Sequence, residues 1–138
     1  MNTLKIYTDG GSRGNPGQGA AAFVVAGNSK VIHEESKRLG ISTNNEAEYL
    51  ALLMGISWLS ENKKEIPADE IFFFLDSELV VNQINGIYKV KSKTLKKLFN
   101  EVNAVREKIG LKIFFKHIPR NKNKIADSLV NKSLDEKI

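Results

Sequence analysis

The 138-residue sequence contains no cysteine, which excludes both disulfide bonds and thiolate zinc sites and fits a reducing compartment. It also contains no apolar run that approaches the ~18 residues of a membrane-spanning helix. The start of the chain, MNTLKIYTDGG, lacks the basic-then-apolar pattern of a secretion signal. We therefore expect a cytoplasmic protein.

Repeats, low-complexity tracts and linkers are absent as well, so nothing in the sequence divides the chain. With 41% hydrophobic residues, 138 residues are enough to build one packed core. We predict a single domain over residues 1–138 and expect a monomer. The formal net charge of +5 is compatible with a polyanionic partner but is only weak support for one.

A glycine-rich stretch, YTDGGSRGNPGQGAAAFVV (residues 7–25), follows an apolar run and resembles a phosphate-binding loop at first sight. No lysine lies between Lys5 and Lys30, which excludes the nucleotide P-loop. The small and β-branched residues after the glycines favour a strand, whereas the dinucleotide fingerprint requires a helix there. The stretch therefore predicts a hairpin connection, in which glycines provide positive φ angles or close approach and Pro16 fixes the turn.

Three strands open the chain, at residues 3–9, 20–26 and 30–38, and their spacing predicts an antiparallel meander. The second turn has the sequence GNSK, in which Gly27 and Asn28 supply the backbone freedom.

The rest of the chain alternates helices and strands. A buried helix over 44–62, capped by Asn44 or Asn45, precedes EIFFFLDS, whose continuous apolar run is typical of a strand covered on both faces. There follow a helix from near Ser77, a basic stretch YKVKSKTLKKL that leads into a helix to about residue 109, the strand LKIFFKHI and a helix from about Lys124.

This order, βββαβαβα in outline, predicts an α/β fold. Strands separated by helices run parallel through right-handed crossovers. We therefore expect a mixed five-stranded sheet, formed by an antiparallel meander plus two parallel strands, with helices on both faces.

Four acidic residues stand at positions that converge in this fold. Asp9 and Asp76 end strands whose carboxyl ends meet at one edge of the sheet. Glu48 shares a helical stripe with apolar residues, and Asp127 lies at the start of the last helix beside apolar positions. Each acid taken alone is better explained by capping, a helix-dipole interaction or turn formation.

Taken together, the four acids favour a bound cation. Converging carboxylates raise each other's pKa unless a cation neutralises them. Hard oxygen ligands without histidine or thiolate imply Mg²⁺ or Mn²⁺.

The blocks YTDGGSRGNPGQGAAAFVV, TNNEAEYLAL, DSELVVNQINGIYKVKS and HIPRNKNKIADSLVNKS resemble, in order and spacing, the motifs of type 1 ribonuclease H, particularly its compact bacterial and archaeal form. The resemblance covers nearly the whole chain. It implies the ribonuclease H fold and hydrolysis of the RNA strand of an RNA–DNA hybrid to 5′-phosphate and 3′-hydroxyl products.

The resemblance also implies roles for individual residues. Two Mg²⁺ ions, with Mn²⁺ as an alternative, are expected on Asp9, Glu48, Asp76 and Asp127, and His117 is expected to act as the mobile catalytic histidine of the family. The implied contacts to the hybrid are Gly11, Ser12, Asn15, Thr43, Asn44 and Asn45, whose short polar groups can read 2′-hydroxyls and phosphate oxygens.

Two features depart from the family pattern. Members with high affinity for hybrids carry a basic helix-loop insertion after the third motif, whereas here only YKVKSKTLKK connects the helices. Glu78 stands where many members have glutamine, so an acid replaces a hydrogen-bond donor.

Two alternatives share the fold. A non-catalytic nucleic-acid-binding domain would be favoured by the loss of any one acid, and none is lost. A junction resolvase or a transposase core would share the acids but not the TNNEAEY block.

Overall fold

The computed structural model describes residues 3–136, and in this range five strands and four α-helices follow in the order βββαβααβα. The strands are β1 (Thr3–Arg13), β2 (Gly17–Gly27), β3 (Lys30–Ser42), β4 (Glu70–Leu75) and β5 (Lys112–His117). The helices are α1 (Asn44–Asn62), α2 (Glu78–Ile84), α3 (Lys93–Ile109) and α4 (Lys124–Asp135). None of these helices has the length and apolar character needed to cross a membrane.

The strands form one sheet in the order β3-β2-β1-β4-β5, which confirms the predicted mixed sheet. The pairs β3-β2 and β2-β1 are antiparallel, and β1-β4 and β4-β5 are parallel. Thr8 of β1 lies opposite Leu75 of β4. Asp9 and Asp76 directly follow these two residues, so the topology sets them side by side.

Helices cover both faces of the sheet, as predicted. The main core lies between the sheet and α1, α2 and α3, and Leu4, Phe23, Tyr49 and Phe73 are fully buried in it. A smaller cluster on the opposite face joins Ala20 and Ala22 of β2 to Val130 of α4. The small side chains of β2 on that face let α4 pack closely over β1, β2 and β3.

The prediction that β4 is covered on both faces was wrong. Ile71, Phe73 and Leu75 are buried, whereas Phe72 and Phe74 on the other face are only partly buried. Their rings are flanked by rings of neighbouring strands. Phe72 stacks on Phe114 with centroids 5.0 Å apart, and Phe74 stacks on Tyr7 with centroids 5.1 Å apart. A continuous apolar run does not distinguish such a ladder of aromatic rings from a face covered by a helix.

The first hairpin is longer than predicted, because β1 continues to Arg13, which pairs with Gln18. Among the glycines of the hairpin only Gly14, in the turn, has a positive φ angle, of 90°. Gly10 is needed for close approach, since a Cβ atom there would lie 2.1 Å from the carbonyl oxygen of Ala47 in α1. The glycine-rich stretch is therefore mostly strand, packed tightly against the start of α1.

Two smaller expectations also change. In the turn between β2 and β3, Asn28 and Ser29 have the positive φ angles, at 52° and 63°, and Gly27 does not. β3 extends beyond residue 38 to Ser42, where it pairs with the start of β2.

The cap of α1 is Thr43, and the prediction of Asn44 or Asn45 was wrong. The Thr43 side chain accepts a hydrogen bond from the backbone N–H of Glu46, and the Glu46 carboxylate accepts one from the N–H of Thr43. This reciprocal capping box leaves the side chains of Asn44 and Asn45, in the first turn of α1, free for other contacts.

We expect Gly10→Ala to destabilise the fold by roughly 3 kcal/mol. The new methyl group would clash with backbone atoms of α1, which cannot move aside as the end of a flexible side chain could. Gly11→Ala is the matched control, since the nearest atom to a Cβ there is Asn44 Oδ1 at 3.9 Å. Urea denaturation of the two variants provides the measurement. Equal stabilities of the two variants would contradict the close packing of α1 on β1 at Gly10.

Candidate metal centre

A cavity of about 380 Å³, the acidic cavity, lies at the carboxyl ends of β1 and β4 and is lined by most of the predicted site residues. Asp9 comes from β1, Glu48 from α1 and Asp127 from α4, and Asp76 directly follows β4. The lining also includes four of the residues predicted to contact the hybrid: Gly11, Ser12, Asn44 and Asn45.

Three of the acids form a compact group. Asp9, Glu48 and Asp76 each offer a carboxylate oxygen, and these oxygens lie within 4.8 Å of one another. Glu48 Oε2 and Asp76 Oδ2 are buried, and neither has a hydrogen-bond partner within residues 3–136. Hard oxygen ligands at this spacing, two of them without a donor, fit a divalent cation.

The backbone of β1 holds Glu48 in place. The N–H of Gly10 donates a hydrogen bond to Glu48 Oε1 at 3.0 Å. From the other side, Leu52, Gly55 and Leu59 of the same helical stripe are buried against the sheet. Glu48 is therefore directed inward by the packing of α1 and is oriented by β1, and only 6% of its surface is exposed.

Burial and mutual repulsion raise the pKa values of the three acids. Burial, reinforced by the charge of Asp76, raises the pKa of Asp9 from 3.8 to about 7. Burial and the charges of Asp9 and Asp76 raise the pKa of Glu48 well above its ordinary value. Burial also raises the pKa of Asp76, although the Asn123 side chain and the charge of Arg120 oppose this rise. Without a cation, the group therefore retains protons near neutral pH, and a divalent cation would displace them.

Asp127 lies at the rim of this group, in the first turn of α4. Its Oδ1 atom is 3.4 Å from Arg120 Nη2, and its side chain is about one-third exposed, with a relative accessibility of 30%. It faces the same cavity as the other acids but is not part of the 4.8 Å group.

Sequence reasoning missed Asn123 and Arg120. Asn123 is 1% exposed, and its Nδ2 donates to the carbonyl oxygen of Thr8 at 2.8 Å, which fixes the start of α4 next to β1 one residue before Asp9. Arg120 places a positive charge beside Asp127. Both lie in the stretch PRNKNK, whose position directly before an acid-bearing helix was the available signal.

Three of the predicted hybrid contacts are linked to one another at the rim. Asn44 Oδ1 accepts hydrogen bonds from the backbone N–H of Ser12 at 2.9 Å and from its hydroxyl at 3.2 Å. The N–H of Asn44 donates to Asn15 Oδ1 at 3.0 Å. Asn15 and Thr43 do not line the cavity, and the Thr43 hydroxyl oxygen is used by the capping box. That these residues contact a hybrid stays a prediction.

His117 is the last residue of β5, whereas the sequence suggested the beginning of a mobile loop. It pairs with Leu75, the residue before Asp76, and its side chain is exposed. It does not line the acidic cavity. Its catalytic role stays a prediction.

Comparisons with known proteins agree with this geometry. A family model described as "Reverse transcriptase-like" matches residues 7–133. Ribonuclease HI of Halobacterium salinarum is 35% identical over 135 residues, which are 96% of this chain and 65% of that protein. The bifunctional protein Rv2228c of Mycobacterium tuberculosis is 38% identical over 132 residues, 94% of this chain. The chain spans only 35% of the length of Rv2228c.

Solved structures show the same fold over almost the whole chain. LC11-RNase H1 in complex with an RNA/DNA hybrid is 40% identical, with a TM-score of 0.89 and 96% of each chain covered. RNase H1 from Halobacterium salinarum is 30% identical, with a TM-score of 0.89, and the match covers 99% of this chain and 100% of that one. The four-helix, five-stranded architecture, the acidic cavity and these likenesses together show that the chain belongs to the ribonuclease H family.

Proposed function

We propose that this protein is a metal-dependent endoribonuclease that hydrolyses the RNA strand of RNA–DNA hybrids to 5′-phosphate and 3′-hydroxyl products. The observation that carries the proposal is the group of two buried carboxylates and one partly buried carboxylate in a cavity rimmed by Ser12 and Asn44. A relative with the same fold and 40% identity has been solved with an RNA/DNA hybrid. No observation favours a non-catalytic role, because all four acids are present and face one cavity.

Asp9, Glu48 and Asp76 would hold the metal, with Asp127 as the ligand at the rim. Two Mg²⁺ ions, or Mn²⁺ in their place, would supply the charge that generates a nucleophilic water and stabilises the leaving oxygen. The protein keeps the ligands oriented, since the Gly10 N–H fixes Glu48 and Asn123 ties α4 to β1. Arg120 balances part of the negative charge of Asp127.

The rim would recognise the hybrid. The Nδ2 group of Asn44 forms no hydrogen bond with another residue between 3 and 136, and its Oδ1 is held by Ser12, so the amide is oriented with its donor available. Asn45 lines the same cavity. Amide donors of this kind bind 2′-hydroxyls and phosphate oxygens in a minor groove.

We further propose that residues 1–138 act as a single domain, as a monomer, in the cytoplasm.

Cleavage of end-labelled substrates tests the proposal. With Mg²⁺ the protein should cut the RNA strand of a hybrid and leave a DNA duplex of the same sequence intact, because the duplex lacks the 2′-hydroxyls. Asp9→Asn and Asp76→Asn should each lower cleavage by at least about 10³-fold, because each removes a metal ligand. Products are resolved on a denaturing gel.

Asp69→Asn is the matched control, since Asp69 is an exposed aspartate just before β4 and outside the cavity. It should cleave like the unaltered protein. Circular dichroism should show that all three variants are folded. Normal cleavage by either site variant, or equal cutting of the DNA duplex, would refute the proposal.

The raised pKa values predict a stability that depends on pH and metal. In the folded protein Asp9 keeps its proton up to pH about 7, but the unfolded chain releases it near 3.8, so the contribution of Asp9 to the free energy of unfolding falls as the pH rises from about 4 to 7. Asp9→Asn cannot ionise. Without metal at pH 8 it should melt roughly 3 to 10 °C higher than the unaltered protein, and the difference should vanish near pH 4.

Mg²⁺ should raise the melting temperature of the unaltered protein at pH 8 and should raise that of Asp9→Asn much less. Differential scanning calorimetry at the two pH values, with EDTA or Mg²⁺, measures both effects. If neither Asp9→Asn nor Mg²⁺ changes the melting temperature, the acids do not repel one another.

We also predict that His117→Ala lowers turnover by roughly 10- to 100-fold with little change in KM, because the imidazole can relay a proton to the leaving oxygen or assist product release. His33→Ala is the control, since His33 is the other histidine of the chain and stacks on Trp58 away from the acids. Steady-state kinetics on a hybrid from pH 6 to 9 decide the matter. Unchanged turnover of His117→Ala over this range would show that His117 does not take part in catalysis.

A further inference from the structure

A second cavity, of about 420 Å³, lies on the sheet face opposite α1, between β1, β2, the β2–β3 turn and the start of α4. Four lysines line it, and no aspartate or glutamate does. The four are Lys5, Lys30, Lys122 and Lys124, and the site that they surround is named the lysine cavity. None of the four forms an ion pair with another residue between 3 and 136. Four uncompensated positive charges around one concave site favour an anion.

The floor of the lysine cavity is apolar. Val24 and Ala26 of β2 and the ring of Tyr7 contribute to it, and the Tyr7 ring is held in place by stacking on Phe74. A bare phosphate would leave this floor without a contact. The lining therefore fits an anion that also carries a flat apolar group, and the volume lies in the range of small-molecule sites.

The start of α4 adds to this character. Lys124, Ile125 and Ala126 line the cavity in the first turn of the helix, and the side chain of Asn123 does not cap their backbone N–H groups. The site thus offers backbone donors for an anion beside its lysines.

The lysine cavity lies close to the acidic cavity. Tyr7 and Asp9 point to the same side of β1, about 7 Å apart along the strand, and Asp127 follows Ala126 directly in α4. A ligand in the lysine cavity would therefore lie beside the acids without touching them.

We propose that the lysine cavity is a second binding site, for a nucleotide phosphate, whose lysines bind the phosphate and whose floor packs against the base or sugar. The nucleotide is either free or part of a strand that extends beyond the hybrid.

Titration with 5′-AMP in EDTA, followed by the amide signals of the labelled protein in NMR, tests the site without any cleavage. The amides of Lys124, Ile125 and Ala126 should shift along one saturating curve. Adenosine should not shift them, and inorganic phosphate should do so with at least about threefold weaker affinity, because it leaves the apolar floor uncovered.

Lys5→Gln/Lys124→Gln should weaken 5′-AMP binding by at least about fivefold. Lys37→Gln/Lys108→Gln is the matched control, since it removes the same charge from exposed positions outside both cavities. It should leave the affinity unchanged. Equal weakening by the two double variants, or shifts confined to residues around Asp9, would overturn the proposal.

A second arm distinguishes the two sources of the nucleotide. Asp9→Asn is used to bind a blunt hybrid and the same hybrid with a single-stranded RNA overhang, in EDTA. If the strand is the source, the overhang should tighten binding at least about threefold, and adding Lys5→Gln/Lys124→Gln should abolish that gain. If a free nucleotide is the source, 5′-AMP should bind while the overhang adds nothing. Binding of neither would refute the site, whereas failure of cleavage by the unaltered protein would refute only the proposed function.

Discussion

The acidic site depends on the close approach of α1 to β1 at Gly10. No side chain separates the two elements there, since a Cβ atom on Gly10 would come within 2.1 Å of the Ala47 carbonyl oxygen. The same approach brings the Gly10 N–H to Glu48 Oε1, so one backbone contact both packs the helix and orients a ligand. The capping box at Thr43 fixes where α1 begins and hence which of its residues reaches the strand.

The end of β4 opens the site that this contact positions. Parallel pairing between β1 and β4 stops at Thr8 and Leu75, but β1 continues for five more residues, to Arg13. Beyond Thr8, β1 is therefore flanked by β2 on one side only. Residues from both sides of the sheet, such as Glu48 from α1 and Asp127 from α4, can meet at this edge. Bringing the carboxylates together destabilises the metal-free protein, because burial and mutual repulsion disfavour their ionised forms and raise their pKa values.

Much of this arrangement could be predicted from the sequence, because it follows from topology. Asp9 and Asp76 each follow the apolar run of a strand, so they must come together once the two strands are parallel neighbours, and the stripe of Glu48, Leu52 and Gly55 can face only one way. The cap of α1 was predictable as well, because Thr43 and Glu46 form the local T-x-x-E pattern of a capping box, in which Glu46 completes the reciprocal pair.

The other missed features, the aromatic rings of β4 and the buried Asn123, depend on tertiary contacts. Phe72 and Phe74 are shielded by rings on neighbouring strands, which no pattern within a single strand can reveal. Asn123 bonds to Thr8, 115 residues away in the chain, so its local sequence indicates a position before the acid-bearing helix but not this contact. Local patterns thus locate the elements and the residues at their ends, whereas the polar contacts that lock those elements together require the folded structure.

Opposite charges are segregated along one side of β1. Its alternation turns Leu4, Ile6 and Gly10 towards α1, whereas Lys5, Tyr7 and Asp9 point to the face that carries α4. On that face lysines surround the amino-terminal half of the strand, and carboxylates surround the point where β4 ends. α4 spans the boundary, with Lys124 on the basic side and Asp127 on the acidic side. A polyanion near this face would be attracted to the lysines and repelled by those carboxylates that have lost their protons. A bound cation would neutralise that negative charge and would therefore control how far such a ligand reaches into the acidic cavity.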